Sequence, residues 1–560
     1  MFETKIVSSM EKCFIHQTPE EFTEIKHLRM YKNEKAAIQL LVYDGAESMN
    51  AVRMFRFVVE GELSDYATVR AVENIPNYIP TPVTPKIAME QDPAFINGAK
   101  PGLYPDLLHP LIHGGAYAVC QQQLRAMWID FDPKENLEAG EYEIKIRIET
   151  IDGIYIREIP FTVEILPASL PVAEHIYTNW FYADCIADYY EVEPFSDKHF
   201  GICENFIKTA VENGITMILT PVFTPPRDTA IGGERTTTQL IGVKVENGEY
   251  SFDFSLFDRW VRMCDRCGIK YFEISHLFTQ WGALHAPKIM ATVDGEYKRI
   301  FGWETDSVSE EYAGFLRQFL TEFTGYIEKC GLKERTYFHI SDEPYGQHVE
   351  RYMKNRNNII DIVKGFKSLD ALSHVVYYQK GLIEVPVPSE SVIEDFMKED
   401  VPERWVYYCC GPWTKASNRF FCQTSARTRS IGMQMYKYGI KGFLHWGYNY
   451  YNTQYSTDAF NPYLNGNLGY WGSAGDGYVV YPGRGGKALE SIRLIAMRQA
   501  FDDIRVMELC ESFYGKDKVV SEIEKIYGKT LNFEECADDV ALMQAIRDRM
   551  DDMIKEAVIN

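Results

Sequence analysis

Tyr337-Phe338-His339-Ile340-Ser341-Asp342-Glu343-Pro344 is a short apolar run closed by two adjacent carboxylates and a proline, and it stands between amphipathic stretches at 309–330 and 348–367. A run of that length with helical periodicity on both sides is a β-strand in a repeated strand and helix pattern. The alternation extends in both directions. Strands are expected at 175–181, 215–223, 269–275, 337–342, 375–379, 406–409 and 441–446, with a weaker eighth near 478–481, and helices at 196–213, 255–267, 309–330, 348–367 and 424–438. Such units predict one (β/α)8 barrel of TIM type with enlarged loops rather than an open doubly wound sheet. No phosphate-binding glycine motif follows the first strand, so a nucleotide site has nothing to rest on. The loop after the second strand carries its own hairpin around Asn247-Gly248.

Upstream of residue 166 the rhythm is different. Residues 37–43, 53–59 and 142–148 run apolar or alternate with period 2, and Asp152-Gly153 turns 142–150 back onto 154–165 as a hairpin. With no long helical pattern between them, these strands predict a β-sandwich. The Pro-rich stretch 77–85, with Pro101, Pro105 and Pro110 beyond it, is expected to leave the sandwich and reach the neighbouring domain. Tyr514-Gly515 breaks the chain before a charged helical end. The expected organisation is therefore a β-sandwich at 1–168, a (β/α)8 catalytic barrel at 169–515 and a helical C-terminal extension at 516–560.

Composition excludes several function classes. At 46% hydrophobic and 25% charged residues the chain is an ordinary folded protein, and a net charge of −22 argues against nucleic-acid binding, which needs clustered cations. No stretch predicts membrane insertion, and charge recurs at Glu11 and Lys12 before a signal-like run forms, so a cytoplasmic location is expected. Twelve cysteines in 560 residues are too sparse for a disulfide scaffold. Cys264 and Cys267 have CxxC spacing without a second pair, and adjacent Cys409 and Cys410 point to opposite faces if they lie on a strand. No metal and no cofactor are expected.

Barrels of this class carry their sites at the C-terminal ends of the strands. The candidates there are Asn179 and Trp180 after strand one, His276 and Trp281 after strand three, Tyr378 after strand five, Trp413 after strand six, and Trp446, Tyr448 and Asn449 after strand seven. Aromatic faces around a few polar groups suit a sugar, and Tyr378 or Tyr448 would suit an acetamido carbonyl. For any one aromatic, core packing is the plainer alternative, and His445 is expected to be a buried core histidine. Arg493, Arg498, Asp502, Asp503 and Arg505 have helical spacing with paired charges and are expected to form a solvated or domain-locking ion network rather than a catalytic group.

Two adjacent acids raise at least one pKa and make a proton donor available near neutrality, though Asp342 as a helix cap is the structural alternative. A two-carboxylate retaining glycosidase takes its acids from opposite sides of the sugar, about 5 to 5.5 Å apart. Strand seven ends without a carboxylate, its nearest being Asp458. A 2-acetamido group on the substrate removes the need for a protein nucleophile, leaving an acid/base, Glu343, and a carboxylate that orients the amide and stabilises its developing charge, Asp342. Glu273, inside strand three, is the rival acid and reads as a buried partner; Glu304 and Asp306 are secondary candidates.

The Asp342-Glu343 pair after strand four, the sandwich ahead of the barrel, the Trp446-Gly447-Tyr448-Asn449 strand end and the helical text at 491–505 together resemble glycoside hydrolase family 123. The resemblance covers most of the chain. It implies a retaining, exo-acting β-N-acetylgalactosaminidase that removes terminal β-linked 2-acetamido sugars from glycans through an oxazolinium, with the family's Asp role on Asp342 and its acid/base role on Glu343. The clostridial cytoplasmic members are nearest in character, and galacto over gluco preference rests on the resemblance alone. The alternatives are a non-catalytic glycan-binding protein and a barrel glycosidase acting on 2-hydroxyl sugars with a different acid pair.

Overall fold

The structure is a computed structural model that describes residues 2–46, 52–80, 95–111, 115–411, 415–469 and 473–559. Two five-stranded sheets come first. One runs in the order Phe2–Ser8, Ala36–Asp44, Arg125–Phe131, Ala67–Asn77, Gly102–Pro110, and the other His27–Tyr31, Ile156–Leu166, Gly140–Thr150, Val52–Gly61, Ala116–Cys120. Period-2 alternation decides which side chains lie between them: Ile144, Ile146 and Ile148 are buried while Lys145 is exposed. The expected hairpin is present, with Ile148 opposite Arg157.

The first sheet is covered on its outer face as well. Val7, Leu41, Val72, Leu108 and Trp128 pack against Ile492 and Ile495 of the long helix Ile492–Tyr514, whose opposite side, including Leu494, Met497 and Ile504, belongs to the barrel core. A helix with apolar side chains on opposite sides is one buried from both sides. Arg493 projects from it onto Asp106 of the sandwich with two bonds of 2.9 Å, both side chains being at most 1% exposed. Arg429 and Arg547 converge on Asp503, and Arg547 also reaches Glu34 at 2.8 Å, so the expected ion network does span the layers. Removing one partner of a buried pair strands the other charge, so Asp106→Ala is expected to cost about 3–5 kcal/mol of stability, read from urea unfolding. An unchanged midpoint would show that the pair is not a lock.

Most of the Pro-rich excursion, 81–94, lies outside the described residues. On its flanks the Ile79 N–H donates to Asn467 Oδ1 at 3.2 Å and the Ile96 N–H to the Cys422 carbonyl at 2.9 Å, so both sides of it touch the barrel portion. Pro105 and Pro110, expected within the excursion, belong instead to the edge strand Gly102–Pro110, where a missing donor is tolerated.

The barrel has eight parallel strands: Ile176–Asn179, Met217–Thr220, Tyr271–Ile274, Thr336–His339, Lys367–Leu372, Val385–Pro388, Trp405–Tyr407 and Gly442–His445. Each pairs with the next, the eighth pairs with the first, and a single bridge between Ser389 and Tyr407 joins the sixth to the seventh. The first four strands lie where the sequence places them, and the later ones require correction. Residues 375–379 form a helical turn, Val376–Gln379, and the fifth strand is Lys367–Leu372, whose apolar run is disguised by the buried polar residues Ser368 and Asp370. The sixth strand was hidden by Pro386 and Pro388, which fit a ladder at its weakest seam. The strands expected sixth and seventh are thus seventh and eighth. Residues 478–481 form no barrel strand: Tyr478 makes an isolated bridge to Asn449, and Val480–Pro482 pairs with Ala488–Glu490 in a hairpin outside the barrel.

Loops after the second and third strands join into a four-stranded sheet, which includes the Asn247-Gly248 hairpin with both turn residues at positive φ. Helices Lys516–Tyr527 and Val540–Ile559 follow the break at Gly515. Among the described residues, no helix is long and apolar enough to cross a membrane.

Candidate active site

The fourth strand ends at His339, and the chain then turns through Ser341, Asp342 and Glu343. No helix starts at Pro344, the next helical turn being Gly346–His348, so Asp342 is not a cap. Four bonds fix the turn: Ser341 N–H to Asp370 Oδ2 (3.0 Å), Ser341 Oγ to the Thr279 carbonyl (2.8 Å), Trp281 N–H to the Asp342 carbonyl (2.7 Å) and Glu343 N–H to the Ala371 carbonyl (3.1 Å). Glu343 is held at φ 43°, a left-handed conformation unfavourable for a side chain with a Cβ and found where surrounding structure enforces it.

Both carboxylates line a recess with Trp180, Tyr182, Arg227, Asp228, Trp281, Tyr407, Cys409, Cys410 and Trp446. Burial and the neighbouring Asp342 charge push Glu343 up to about 7, opposed by the Tyr407 hydroxyl, which donates to Glu343 Oε1. Burial raises Asp342 as well, but the Arg227 guanidinium lies 3.4 Å from its Oδ2 and favours the charged form. With Arg227 beside Asp342, the charge of the pair falls on Asp342 and the proton on Glu343, against the opposing bond from Tyr407.

Beneath the pair lies a buried ionic layer. Glu273 accepts from Thr178 Oγ1 (2.7 Å) and Trp180 Nε1 (2.8 Å) and meets His339 Nδ1 at 2.7 Å. His339 lies between Glu273 and Asp370; burial opposes its charge, but the two carboxylates raise its pKa. Burial disfavours the charge of Glu273 too, and His339, Thr178 and Arg227 nevertheless hold its pKa below the usual value. Glu273 is therefore an ionised, fully partnered group and no proton donor. Of the loop acids, Glu304 pairs with Arg299 and Asp306 with Arg351, away from the recess.

The sequence-derived candidates separate clearly. Trp180, Trp281 and Trp446 line the recess. Asn179 and His276 are buried in the barrel behind it, with His276 stacked on His339 at 3.8 Å. Asn449 holds Tyr182 by both backbone groups (2.9 and 3.0 Å) and thus positions a recess residue without lining it. Tyr448 is fully buried and donates to the Phe206 carbonyl at 2.8 Å, so it is core. Tyr378 sits on the helical turn after strand five and donates to the Asp400 carbonyl at 2.6 Å; its expected place at a strand end was an error of strand assignment. Trp413 lies outside the described residues. His445 is buried as expected, its pKa lowered to about 3 by burial and Arg419.

Several recess residues went unread in the sequence. Arg227 and Asp228 follow the second strand. Tyr182 lies just past strand one, and its buried hydroxyl has no partner. Tyr407 closes the seventh strand. Cys409 and Cys410 lie beyond that strand, so they do not diverge as strand residues would, and both line the recess. Asp476 accepts from Trp446 Nε1 (2.9 Å) and Cys410 Sγ (3.1 Å), a proximity possible because residue 447 is glycine: a Cβ there would stand 2.3 Å from the Asp476 carbonyl. Among the described residues, His276, His339 and Asp342 bring potential metal ligands within 4.8 Å of one another. Arg227 contacts both His276 and Asp342, so a protein cation already occupies that position.

The model of the glycoside hydrolase 123 catalytic domain matches residues 180–510. The structure of a family 123 glycoside hydrolase from Clostridium perfringens, described in connection with glycolipid glycan hydrolysis, superposes with a TM-score of 0.73 at 16% identity, covering 99% of this chain and 98% of that one. An endo-β-1,4-mannanase from Thermotoga petrophila gives a TM-score of 0.35 at 12% identity over 60% of this chain and 77% of the other. No curated protein matches in sequence. The family match spans more than half of the chain, and the chain belongs to glycoside hydrolase family 123.

Proposed function

We propose that this glycoside hydrolase is a retaining, exo-acting β-N-acetylgalactosaminidase in which the 2-acetamido group of the substrate is the nucleophile. The observation that carries the reading is the pair itself: Glu343 raised to about 7, beside Asp342 facing Arg227, in one recess. Glu343 protonates the leaving oxygen and later takes a proton from water. Asp342 holds the acetamido N–H and stabilises the positive charge that grows as the oxazolinium closes. The unpartnered hydroxyl of Tyr182 suits the acetamido carbonyl, the part the sequence offered to Tyr378 or Tyr448. The recess is tight, about 100 Å³. Exo action on a terminal residue follows the family resemblance. Galacto preference follows the family resemblance. A reducing, cytoplasmic setting fits the lack of disulfides among the described residues.

Aryl β-glycosides with and without the 2-acetamido group, in gluco and galacto configuration, test this directly. Turnover confined to 2-acetamido sugars, fastest for galacto, is expected; equal turnover of 2-hydroxyl sugars would sink the substrate-assisted mechanism. A second reading has one observation in its favour, because Asp228 also lines the recess and could serve as a protein nucleophile. Its Oδ2 already accepts from the Tyr450 hydroxyl (2.8 Å) and the Tyr455 N–H (3.2 Å), and burial raises its pKa, both of which blunt a nucleophile. A glycosyl adduct on Asp228, sought by mass spectrometry with a slow fluorosugar, decides between the two.

The Tyr407 contact gives a pH test. Its hydrogen bond lowers the Glu343 pKa, so Tyr407→Phe raises it further. Because Glu343 must enter the reaction protonated, the alkaline limb of kcat/KM is expected to move to higher pH in the variant. A limb that stays put or moves down means Glu343 is not the group it reports.

A further inference from the structure

Cys409 and Cys410 are adjacent, lie past the end of the seventh strand, and both line the catalytic recess. Each is partly exposed, and neither is in a disulfide. The turn that carries them is pinned by the Cys409 N–H on the Gly411 carbonyl at 3.2 Å. Cys410 Sγ donates to Asp476 Oδ2 at 3.1 Å, and the same carboxylate oxygen receives the Trp446 indole N–H at 2.9 Å. On the other side the Cys409 thiol lies within the field of Glu343. The two sulfurs thus touch each other and join the acid's side of the recess to the tryptophan's.

Their surroundings keep both thiols neutral. Contact with Cys410 lowers the Cys409 pKa, but burial and the charges of Glu343 and Asp476 raise it by more. Cys410 is raised by that same contact, by burial and by Asp476. Reactions that need a thiolate, alkylation and attack on peroxide among them, are slowed accordingly. A disulfide between the two is opposed by its span: neighbouring Cα atoms are about 3.8 Å apart across a trans peptide, where disulfides usually span about 4.4–6.8 Å. Zinc needs more protein ligands than the pair provides, and among the described residues neither cysteine belongs to a set of three close metal-ligating groups.

A trivalent arsenical differs on each count. It brings its own carbon substituent for one of its bonds and asks the protein for a pair of sulfurs, which it takes as neutral thiols. R–As(OH)2 and two protein S–H groups give R–As(S–)2 and two waters; each thiol proton leaves with an arsenic-bound hydroxide, and arsenic stays trivalent. The bridging atom widens the span that a direct S–S bond would have to compress. The product is uncharged, so it adds no charge beside Asp342, Glu343 and Asp476.

We propose that Cys409 and Cys410 form a dithiol site on the wall of the catalytic recess that captures trivalent arsenicals, and that its occupation stops hydrolysis by placing a bulky group beside Glu343. The inhibition rests on the glycosidase reading above; the capture does not.

The test adds phenylarsine oxide to the reduced full chain and reads intact mass, free thiols and turnover of an aryl 2-acetamido-β-galactoside. One arsenical per chain is expected, with the loss of two free thiols and an adduct that maps to the peptide carrying Cys409 and Cys410. Turnover should fall to nothing in step with uptake. 2,3-Dimercaptopropanol should restore it, where the same thiol concentration of mercaptoethanol does not, because only a dithiol competes with a chelate. Cys409→Ser and Cys410→Ser should each keep the same turnover with reagent as without it, a ratio that cancels any general loss; should Cys410→Ser fail to fold, Cys409→Ser and the wild-type map carry the test. Cys264→Ala should take up arsenical as the wild type does, since Cys264 of the CxxC pair is fully buried. An adduct that maps elsewhere, no uptake at all, or reversal by mercaptoethanol as ready as by the dithiol overturns the site. Uptake with turnover intact overturns the inhibition. Should the wild type cleave no glycoside, the functional reading fails, while the mass map still decides the site.

Discussion

Asp342→Asn is expected to lower kcat/KM by on the order of 100- to 1,000-fold, the range seen when a preorganised charge stabiliser is removed. The substitution keeps shape and hydrogen-bonding capacity but loses the charge. Arg227, 2% exposed and 3.4 Å from Asp342 Oδ2, is then left with a neutral neighbour, and its positive field acts on the oxazolinium without compensation. Because the charge develops on the acetamido group whatever departs, aryl glycosides with good and poor leaving groups should slow alike. A plot of log kcat/KM against leaving-group pKa should keep its slope and drop as a whole. A variant that retains more than about a tenth of wild-type activity contradicts the assignment. Unaltered thermal unfolding confirms that the loss is chemical, since Glu273 and Asp370 still flank His339 in the layer below.

What the sequence made legible follows from where its signals are local. The sandwich strands could be read because one face is apolar and the other solvated, as Ile144, Lys145, Ile146 and Arg147 show in succession. The acids at 342 and 343 were legible because the barrel rule points to strand ends, and the fourth strand has an uninterrupted apolar run. Strand five failed for a physical reason: Ser368 and Asp370 are buried for service to the site, and Asp370 receives the Tyr352 hydroxyl (2.7 Å) and the Ser341 N–H. A polar residue recruited into a barrel interior breaks the pattern by which strands are recognised. That one misplacement carried Tyr378 to a strand end it does not occupy. Arg227, Asp228 and Tyr407 lay within reach of the strand-end rule applied to every strand. The part played by Asn449, which acts through Tyr182, needs a contact across 267 residues that no local pattern encodes.

Glu343→Gln separates the second acid from the first by the shape of its effect. Glutamine fills the same space and can still receive the Tyr407 hydroxyl, but it has no proton to give. Protonation of the leaving oxygen matters in proportion to the basicity of the departing group, so substrates with alkyl or sugar leaving groups should lose about 100- to 10,000-fold, the scale of general acid catalysis. An activated aryl glycoside should retain much of its rate for the first step, because its phenolate leaves unaided. The slope against leaving-group pKa therefore steepens here, where in Asp342→Asn it does not. The alkaline limb of the wild-type profile, set by Glu343 at about 7, should vanish from the variant's residual activity on activated substrates. Azide offers an independent readout: in Glu343→Ala it can enter the vacated space and open the oxazolinium without base assistance, giving the β-azide and a faster turnover. In Asp342→Asn the oxazolinium forms too slowly to be intercepted, and azide should do nothing. Rescue of the aspartate variant with no rescue of the glutamate variant would exchange the two roles, and a glycosyl adduct on either carboxylate would end the substrate-assisted account.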